Sequence, residues 1–223
     1  MESTPTLHMW HDYVCPFCNV EATRIMRITE ADDLNLQVRF HPWPLEAVNG
    51  TQPRAEDEDK WVQLLRTVEP DAFAHWDPSS GFWPASSRLM FAAYEAALVQ
   101  DITAAAKFDL MVRQAIFRQP RPIDTVDALS ELAAAAGLDA DAFRTTLEDG
   151  NAERRAQSAG ADAKSQGIRG IPTLVLPDGS IVTNPGLKIQ RTREGRSIRD
   201  DLAALRELLQ RVAGVAPVEA GRG

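Results

Sequence analysis

The spacing of apolar and polar residues predicts that the chain begins with a β-α-β unit. Thr6–His11 is a short apolar segment that reads as a strand, and Leu36–Phe40 alternates apolar with polar residues, as a half-buried strand does. Between them, Pro16 to about Ala31 carries apolar residues at loosely helical spacing, so a helix is predicted there. A strand, a helix and a strand in this order favour a parallel pair.

The pattern is helical almost throughout from about residue 55 to 166. Proline and glycine residues separate helical segments, which lie near 86–100, 104–118, 125–136 and 140–149. The block also contains aromatic residues that are expected in its core, namely Trp61, Trp76, Trp83, Phe91 and Tyr94.

The period changes again after residue 167. Ile171–Leu176 is predicted as a strand and Ser180–Thr183 as its return, with Pro-Asp-Gly forming the turn of a hairpin. Ser197 with Asp200 then predicts the start of an amphipathic helix, with Ile198, Leu202, Leu205, Leu209 and Val212 on one face. The basic run before it is interpreted as a solvated loop leading into that helix, with a functional anion-binding patch as the alternative, and its members are Lys188, Arg191, Arg193, Arg196 and Arg199.

Composition narrows the class of protein. The chain has 223 residues, 44% of them hydrophobic, which fits one large domain or one domain with an insertion. Its formal net charge of −8 argues against nucleic acid or an anionic membrane as the main partner. Met1–Thr6 has neither a basic nor an apolar region of a signal peptide, so a cytoplasmic location is predicted.

The two cysteines are the strongest chemical signal. Cys15-Pro16-Phe17-Cys18 lies between the first strand and the first helix, and two thiols at this spacing can face each other across one turn. Pro16 favours a helix start, which puts Cys15 at the helix N-terminus, where the dipole and free N–H groups stabilise a thiolate. The pair therefore predicts a redox dithiol, kept largely reduced in the cytosol.

Two other uses of the cysteines are less well supported. A zinc site would have to recruit histidines, and the four in the chain lack the usual paired spacing, so no metal is predicted. A purely structural disulfide would gain little stability from closing so short a loop.

These motifs resemble a known family. The order β-α-β, helical block, β-β-α, with Cys-Pro-Phe-Cys after the first strand and Gly170-Ile171-Pro172-Thr173 before the later one, resembles the thioredoxin fold with a helical insertion, as in the DsbA family. Within that family the chain looks most like the FrnE-type oxidoreductases associated with polyketide biosynthesis. The resemblance implies an α/β, thioredoxin-like fold interrupted by an all-α insertion domain. It divides the chain into a thioredoxin-like domain (1–50 and 155–214), a helical insertion (51–154) and a flexible tail (215–223).

The resemblance also assigns roles to residues. Cys15 would be the exposed nucleophile and Cys18 the partially buried resolving thiol, with Pro172 as a cis-proline lying against them. Substrate would contact four residues, namely Pro16, Phe17, Ile171 and Thr173, the backbone of Ile171 pairing with an extended substrate. His11 and Asp12 are both candidates for the proton acceptor of Cys18.

One position departs from the family pattern. DsbA has His between its cysteines and this chain has Phe17, which cannot donate a hydrogen bond to a thiolate. An intermediate or reducing dithiol is therefore expected.

The implied activity is exchange of disulfides with protein or small-thiol substrates, without a cofactor. Kappa-class glutathione transferases and 2-hydroxychromene-2-carboxylate isomerases share the scaffold and are the alternative. They usually have Ser where Cys15 stands and need no resolving thiol, so Cys18 argues against them. The sequence leaves open the substrate, the direction of electron flow and the oligomeric state.

Overall fold

The computed structural model describes residues 4–79, 82–193 and 195–215, and a four-stranded sheet lies at its centre. The strands are β1 (Thr6–His11), β2 (Gln37–Pro42), β3 (Thr173–Val175) and β4 (Ile181–Thr183), in the order β2-β1-β3-β4. β1 and β2 are parallel, whereas β3 is antiparallel to both β1 and β4. The predicted β-α-β unit and the later hairpin are thus confirmed.

Helix α1 (Pro16–Ala31) makes the crossover between β1 and β2. Pro16 is its first residue, and Cys15 caps it in an extended conformation with φ −85° and ψ 113°. Val20, Ile25 and Ile28 are buried in the core. The local sequence therefore sets both the start of the helix and its buried face.

Seven helices lie between β2 and β3 in the described part of the chain. They are α2 (Leu45–Asn49), α3 (Ala55–Leu65), α4 (Arg88–Leu98), α5 (Ile102–Arg113), α6 (Val126–Ala135), α7 (Ala140–Glu148) and α8 (Asn151–Asp162). A π-helical turn, Gln114–Arg118, extends α5. The four helical segments predicted between residues 86 and 149 are confirmed to within a few residues. Between α3 and α4 the described residues form only a short 3₁₀ helix, Pro70–Phe73.

The aromatic residues of this block differ in burial. Trp76, Phe91 and Tyr94 are buried, as expected, whereas Trp61 and Trp83 are only half-buried and pack against the core. The hydroxyl of Tyr94 accepts a hydrogen bond from the Phe40 N–H at 3.0 Å. This contact satisfies a backbone donor of β2 and attaches α4 to the sheet.

The segment after β4 is the main correction to the sequence prediction. Instead of a loop and a helix beginning at Ser197, the chain forms a second antiparallel sheet of β5 (Leu187–Thr192) and β6 (Gly195–Asp200). Ser197 lies inside β6, and the final helix α9 (Leu202–Val212) begins only after Asp201. The helical spacing of apolar residues starts at residue 202, and cross-strand pairing of Ile189 with Ile198 stabilises the strands before it.

The domain division at residues 51 and 154 stays a prediction, and residue 154 falls inside α8. The predicted flexible tail, 215–223, lies outside the described residues apart from Val215.

Candidate functional site

The two cysteines lie at the N-terminus of α1, and both are free thiols. The Cys18 N–H points at the Cys15 sulfur, with 3.4 Å between nitrogen and Sγ. Cys15 is the residue that caps the helix, so its sulfur meets one of the N–H groups that the first turn leaves without a helical partner. Such a donor stabilises a negative charge on Cys15.

Both thiols are more buried than the sequence suggests. Cys15 is only 7% exposed and Cys18 is fully buried, where an exposed and a partially buried thiol are expected. The order of accessibility is nevertheless as predicted. Burial raises the pKa of Cys18 well above its usual range, and the neighbouring Cys15 raises it further, while the positive charge of Arg113 lowers it. Cys18 is therefore a protonated thiol at neutral pH, and Cys15 is the more accessible of the two cysteines.

Pro172 follows a cis peptide bond to Ile171, as predicted. Strand β3 runs antiparallel to β1 with Thr173 opposite Trp10, so Pro172 lies beside the end of β1 that leads into the dithiol. The Pro172 carbonyl accepts a hydrogen bond from the Asn184 N–H at 3.0 Å. Ile171 is half-buried and packs against the core.

Thr173 lies within the sheet. Its side chain is 1% exposed, and its hydroxyl is 2.8 Å from both the Gly170 carbonyl and the Thr183 hydroxyl. These contacts occupy the side chain with the fold itself. They give the side chain a structural role, and the substrate contact of Thr173 stays a prediction.

Asp12 is a buried junction between three segments. One carboxylate oxygen accepts hydrogen bonds from Ser87 at 2.5 Å and from the Val14 N–H at 3.1 Å, and the other accepts from the Leu45 N–H at 2.6 Å. Burial raises the pKa of Asp12, while these hydrogen bonds lower it. With its oxygens occupied in this way, Asp12 holds β1, α2 and α4 together, and its role as proton acceptor stays a prediction.

His11 is buried among aromatic rings and is held by Arg113. The Arg113 Nη2 lies 2.6 Å from His11 Nδ1, and because a guanidinium cannot accept, Nδ1 must be the acceptor. The other ring nitrogen, Nε2, lies 3.6 Å from a carboxylate oxygen of Asp109. Burial, followed by Arg113, lowers the pKa of His11 well below its ordinary value. The ring is neutral with Nδ1 engaged by Arg113, and its role as acceptor of the Cys18 proton stays a prediction.

A buried ion pair that the sequence analysis missed stands behind the dithiol. Arg113 and Asp109 on α5 are both fully buried and are 2.6 Å apart at Nε and Oδ2. The guanidinium also lies over the rings of Tyr13 and Phe40, at 5.2 and 5.4 Å. The four-residue spacing of Asp109 and Arg113 on one helix face was the available signal, but such pairs are usually at the surface.

On the solvent side, Phe17 of the cysteine motif contacts Trp61 of α3 edge to face, with ring centroids 5.5 Å apart. Phe17 is 9% exposed and Pro16 is buried. The Trp61 ring is in turn covered by the Arg196 guanidinium at 5.0 Å. An aromatic and cationic wall, formed by Phe17, Trp61 and Arg196, therefore lies beside the dithiol.

Two negative findings apply to the described residues. None of the helices in residues 4–79, 82–193 and 195–215 is both long and apolar enough to cross a bilayer. Within the same residues, no group of three or more His, Cys, Asp or Glu side chains is placed to hold a metal ion.

Comparison with known proteins agrees with this geometry. Residues 6–192 match the model of the DSBA-like thioredoxin domain. The chain is 24% identical over 185 residues to the uncharacterized protein YwbO of Bacillus subtilis. This alignment covers 78% of this chain and 88% of YwbO.

Two solved structures share the fold at lower identity. A probable DsbA oxidoreductase from Streptomyces coelicolor superposes with a TM-score of 0.64 at 19% identity, over 97% of this chain and 94% of that one. The cytosolic disulfide reductase DsbM from Pseudomonas aeruginosa gives a TM-score of 0.60 at 19% identity, over 95% and 100% of the two chains. Since the family model spans most of the sequence and the sheet, the helical block and the dithiol lie where that fold requires them, the chain belongs to the DSBA-like thioredoxin domain family.

Proposed function

We propose that this protein is a thiol-disulfide oxidoreductase in which Cys15 is the nucleophile and Cys18 the resolving thiol. The observation that carries the proposal is the N–H of Cys18 directed at the Cys15 sulfur at the helix N-terminus, with the second thiol fully buried behind it. One sulfur has solvent access and a donor for its charge. The other is shielded until a mixed disulfide forms.

The reaction has two exchanges. The Cys15 thiolate attacks one sulfur of a substrate disulfide, forming a Cys15–substrate disulfide and releasing the other substrate sulfur as a thiolate that takes up a proton. Cys18 then loses its proton and attacks the Cys15 sulfur, forming the Cys15–Cys18 disulfide and releasing the second substrate thiol. Two electrons pass from the protein to the substrate, and the reverse sequence oxidises a substrate dithiol.

The resolving step requires a thiolate at Cys18, whose pKa burial raises. The positive charge of Arg113 lowers that pKa and is the group that favours the thiolate when Cys18 must react. Asp109, paired with Arg113 at 2.6 Å, holds this guanidinium in place. Arg113 is therefore proposed as a positioning residue that acts on Cys18 through its charge.

Substrate contacts are proposed for the residues around the dithiol. Pro16, Phe17, Ile171 and Pro172 surround the accessible side of Cys15 in this proposal, and the Ile171 backbone pairs with an extended substrate strand. Protein and small-thiol substrates both suit such a site. The same proposal includes a cytosolic location, membership of the FrnE-type group within the family, and an intermediate or reducing potential for the dithiol.

Trapping tests the assignment of the two sulfurs. Cys18→Ser leaves Cys15 without a resolving thiol, so incubation with a disulfide substrate is expected to accumulate a stable mixed disulfide at Cys15, detected by mass spectrometry. Cys15→Ser is the matched control, and its buried Cys18 is expected to form little adduct. Equal trapping by both variants, or none by either, would contradict the proposal.

The same variants bear on the alternative of a glutathione transferase or isomerase. Those reactions need no second thiol, so Cys18→Ser would retain full turnover in a glutathione conjugation or isomerisation assay. The proposed exchange instead predicts that turnover with a disulfide substrate falls to near zero in Cys18→Ser.

A further inference from the structure

The hairpin of β5 and β6 concentrates positive charge in an acidic protein. Residues 188–199 contain five basic residues and one acidic residue, Glu194, in a chain of net charge −8. Of the five, the described residues give only Arg199 a carboxylate partner, Asp201 at 3.8 Å. The charge of this hairpin is thus largely unbalanced by the rest of the described chain.

Cross-strand pairing places like charges opposite each other. Arg191 is paired with Arg196, and Lys188 is paired with Arg199. Like charges directly opposite in an antiparallel pair are destabilising. Arg196 packs on Trp61 and Arg199 pairs with Asp201, whereas Lys188 and Arg191 have no carboxylate partner among the described residues. An anionic partner on this hairpin would offset the remaining repulsion.

The two faces of the hairpin have different neighbours. Side chains of directly opposed residues share a face and alternate along the strands. Leu187, Ile198 and Arg196 therefore lie on one face, which we call the inner face; Leu187 is buried in the core and Arg196 covers Trp61. Lys188 lies on the opposite, outer face, because it is one residue out of phase with Leu187. The outer face points away from Trp61.

The inner face continues the wall beside the dithiol. The Arg196 guanidinium is 5.0 Å from the Trp61 ring, and that ring is 5.5 Å from Phe17. The two distances together place the Arg196 guanidinium within roughly 11 Å of the Phe17 ring. About three residues of an extended peptide, at ~3.3 Å each, span that distance. Ile189, on the same face, is 47% exposed and adds an apolar contact.

Glu58 lies one helical turn before Trp61 on α3. Burial raises the pKa of Glu58 to about 7, so it is only partly ionised at neutral pH. It forms no ion pair with Arg196 among the described residues. The cationic wall is therefore available to a negatively charged ligand.

We propose that the inner face of the β5–β6 hairpin, together with Trp61, binds an acidic peptide segment next to the cysteine that reacts with Cys15. This inference rests on the proposed oxidoreductase function and adds a preference for substrate. A carboxylate about three residues from the reacting cysteine pairs with Arg196, Arg191 strengthens the attraction, and the apolar part of the segment packs on Trp61 and Ile189. The preferred substrates are proteins whose reactive cysteine is flanked by Asp or Glu.

The test compares matched peptide disulfides. Three extended peptides of equal length carry one cysteine as a mixed disulfide with a neutral thiol, and Glu, Gln or Lys three residues from it. The second-order rate constant for their reaction with the reduced protein is measured by mass spectrometry of quenched samples. At low salt the Glu peptide is expected to react about fivefold faster than the Gln peptide and the Lys peptide more slowly, with the advantage lost above about 0.5 M salt.

Two variants with the same change in net charge locate the effect. Arg196→Gln is expected to bring the ratio of the Glu-peptide rate constant to the Gln-peptide rate constant close to one. Lys188→Gln, on the outer face of the same hairpin, is expected to retain the preference. Circular dichroism and thermal unfolding confirm that both variants are folded.

The outcomes separate this inference from the proposed function. Equal rates with the Glu and Gln peptides, or equal losses in Arg196→Gln and Lys188→Gln, would overturn the docking surface and leave the oxidoreductase assignment intact. If the reduced protein reacts with none of the peptide disulfides, the proposed function fails, and the preference for acidic segments fails with it.

Discussion

Two arginines are wholly buried in the described part of the chain, Arg24 on α1 and Arg113 on α5, and they have very different partners. Arg24 binds Glu69 at 2.8 Å and Asp200 at 2.8 Å, and it also donates to the carbonyls of Val68 and Gly186. Arg113 has one carboxylate partner, Asp109, and the ring of His11, and its Nη1 has no hydrogen-bond partner among the described residues.

The contrast indicates two uses of a buried charge. A guanidinium whose donors are all occupied joins segments that are distant in sequence, here α1, the turn before the 3₁₀ helix and β6, and its field is neutralised close by. The charge of a guanidinium with one carboxylate partner and one unpaired nitrogen is less completely neutralised, so it also acts on neighbouring groups. Here the neighbouring group is Cys18, whose pKa Arg113 lowers. Buried polar groups left partly unpaired are costly, so they need a reason to be retained.

Removing Arg24 is expected to have the largest effect on stability. Arg24→Gln leaves two carboxylates without their buried partner and should lower the free energy of unfolding by about 5 kcal/mol, measured by chemical denaturation. Arg27→Gln is the control, because Arg27 binds the same Glu69 at 2.7 Å but is 48% exposed, and its loss should cost about 1 kcal/mol or less. Equal losses in the two variants would remove the contrast between a buried and an exposed partner.

Glu21 sharpens the comparison because it lies on the same helix as Arg24 without pairing with it. Both of its carboxyl oxygens are buried without a hydrogen-bond partner in the described structure, and burial raises its pKa from 4.5 to about 8 despite the nearby charge of Arg24. Between these two pKa values the folded protein holds a proton that the unfolded chain releases, so the contribution of Glu21 to stability falls as pH rises from about 5 to 9, by on the order of 4 kcal/mol.

Glu21→Gln should remove that pH dependence and make the protein more stable than the wild type at pH 9. Denaturation curves at pH 5, 7 and 9 provide the measurement. Glu30→Gln, an exposed change on the same helix, should leave the wild-type profile unaltered. A stability difference between Glu21→Gln and the wild type that is the same at all three pH values would show that Glu21 is compensated in the folded state.

The Arg113 half of the comparison predicts a kinetic effect. The double variant Arg113→Gln/Asp109→Asn removes both charges, so its stability should change by only about 1–2 kcal/mol. Its Cys18 should need a higher pH to react. Each unit by which the pKa of Cys18 rises lowers the thiolate fraction about tenfold and increases the nucleophilicity of that thiolate about threefold. Resolution therefore slows roughly threefold per unit.

Stopped-flow measurement of mixed-disulfide resolution between pH 6 and 10 tests this, with Arg27→Gln as a folded control. The expected result is a profile displaced to higher pH in the double variant and unmoved in the control. A rate that falls by the same factor at every pH would indicate a merely structural role for Arg113.

The smallest predicted effect concerns the solvent side of the dithiol. Phe17→His introduces a donor next to Cys15, where the wild type has only a ring packed on Trp61. A better stabilised thiolate makes the dithiol more oxidising, by on the order of 10–30 mV. Equilibration with glutathione buffers measures the potential, and Phe17→Leu, which adds no donor, should stay near the wild-type value. An unchanged potential in Phe17→His would remove Phe17 as a cause of the expected reducing character.

Local signals were enough for the dithiol and its setting. The spacing of Cys15 and Cys18, Pro16 at the helix start and the alternation of β2 act within a few residues, and each is found where the sequence predicts it. The sequence did not predict the β5–β6 hairpin because the local signals of a strand are weak there. Its strands are mostly exposed and rich in charge, so they lack the apolar alternation by which a strand is recognised.

The sequence by itself determined the β-α-β start, the helical block, the cysteine motif at the helix N-terminus and the family to which these point. Only the tertiary structure decided that Asp12 and His11 are engaged in the fold, that Arg113 lies behind Cys18, and that Arg196 reaches Trp61. These contacts join residues up to 135 positions apart, the separation of Trp61 and Arg196. A charge or a hydroxyl is written into the sequence, but its partner, its burial and therefore its pKa depend on which distant segments fold against it.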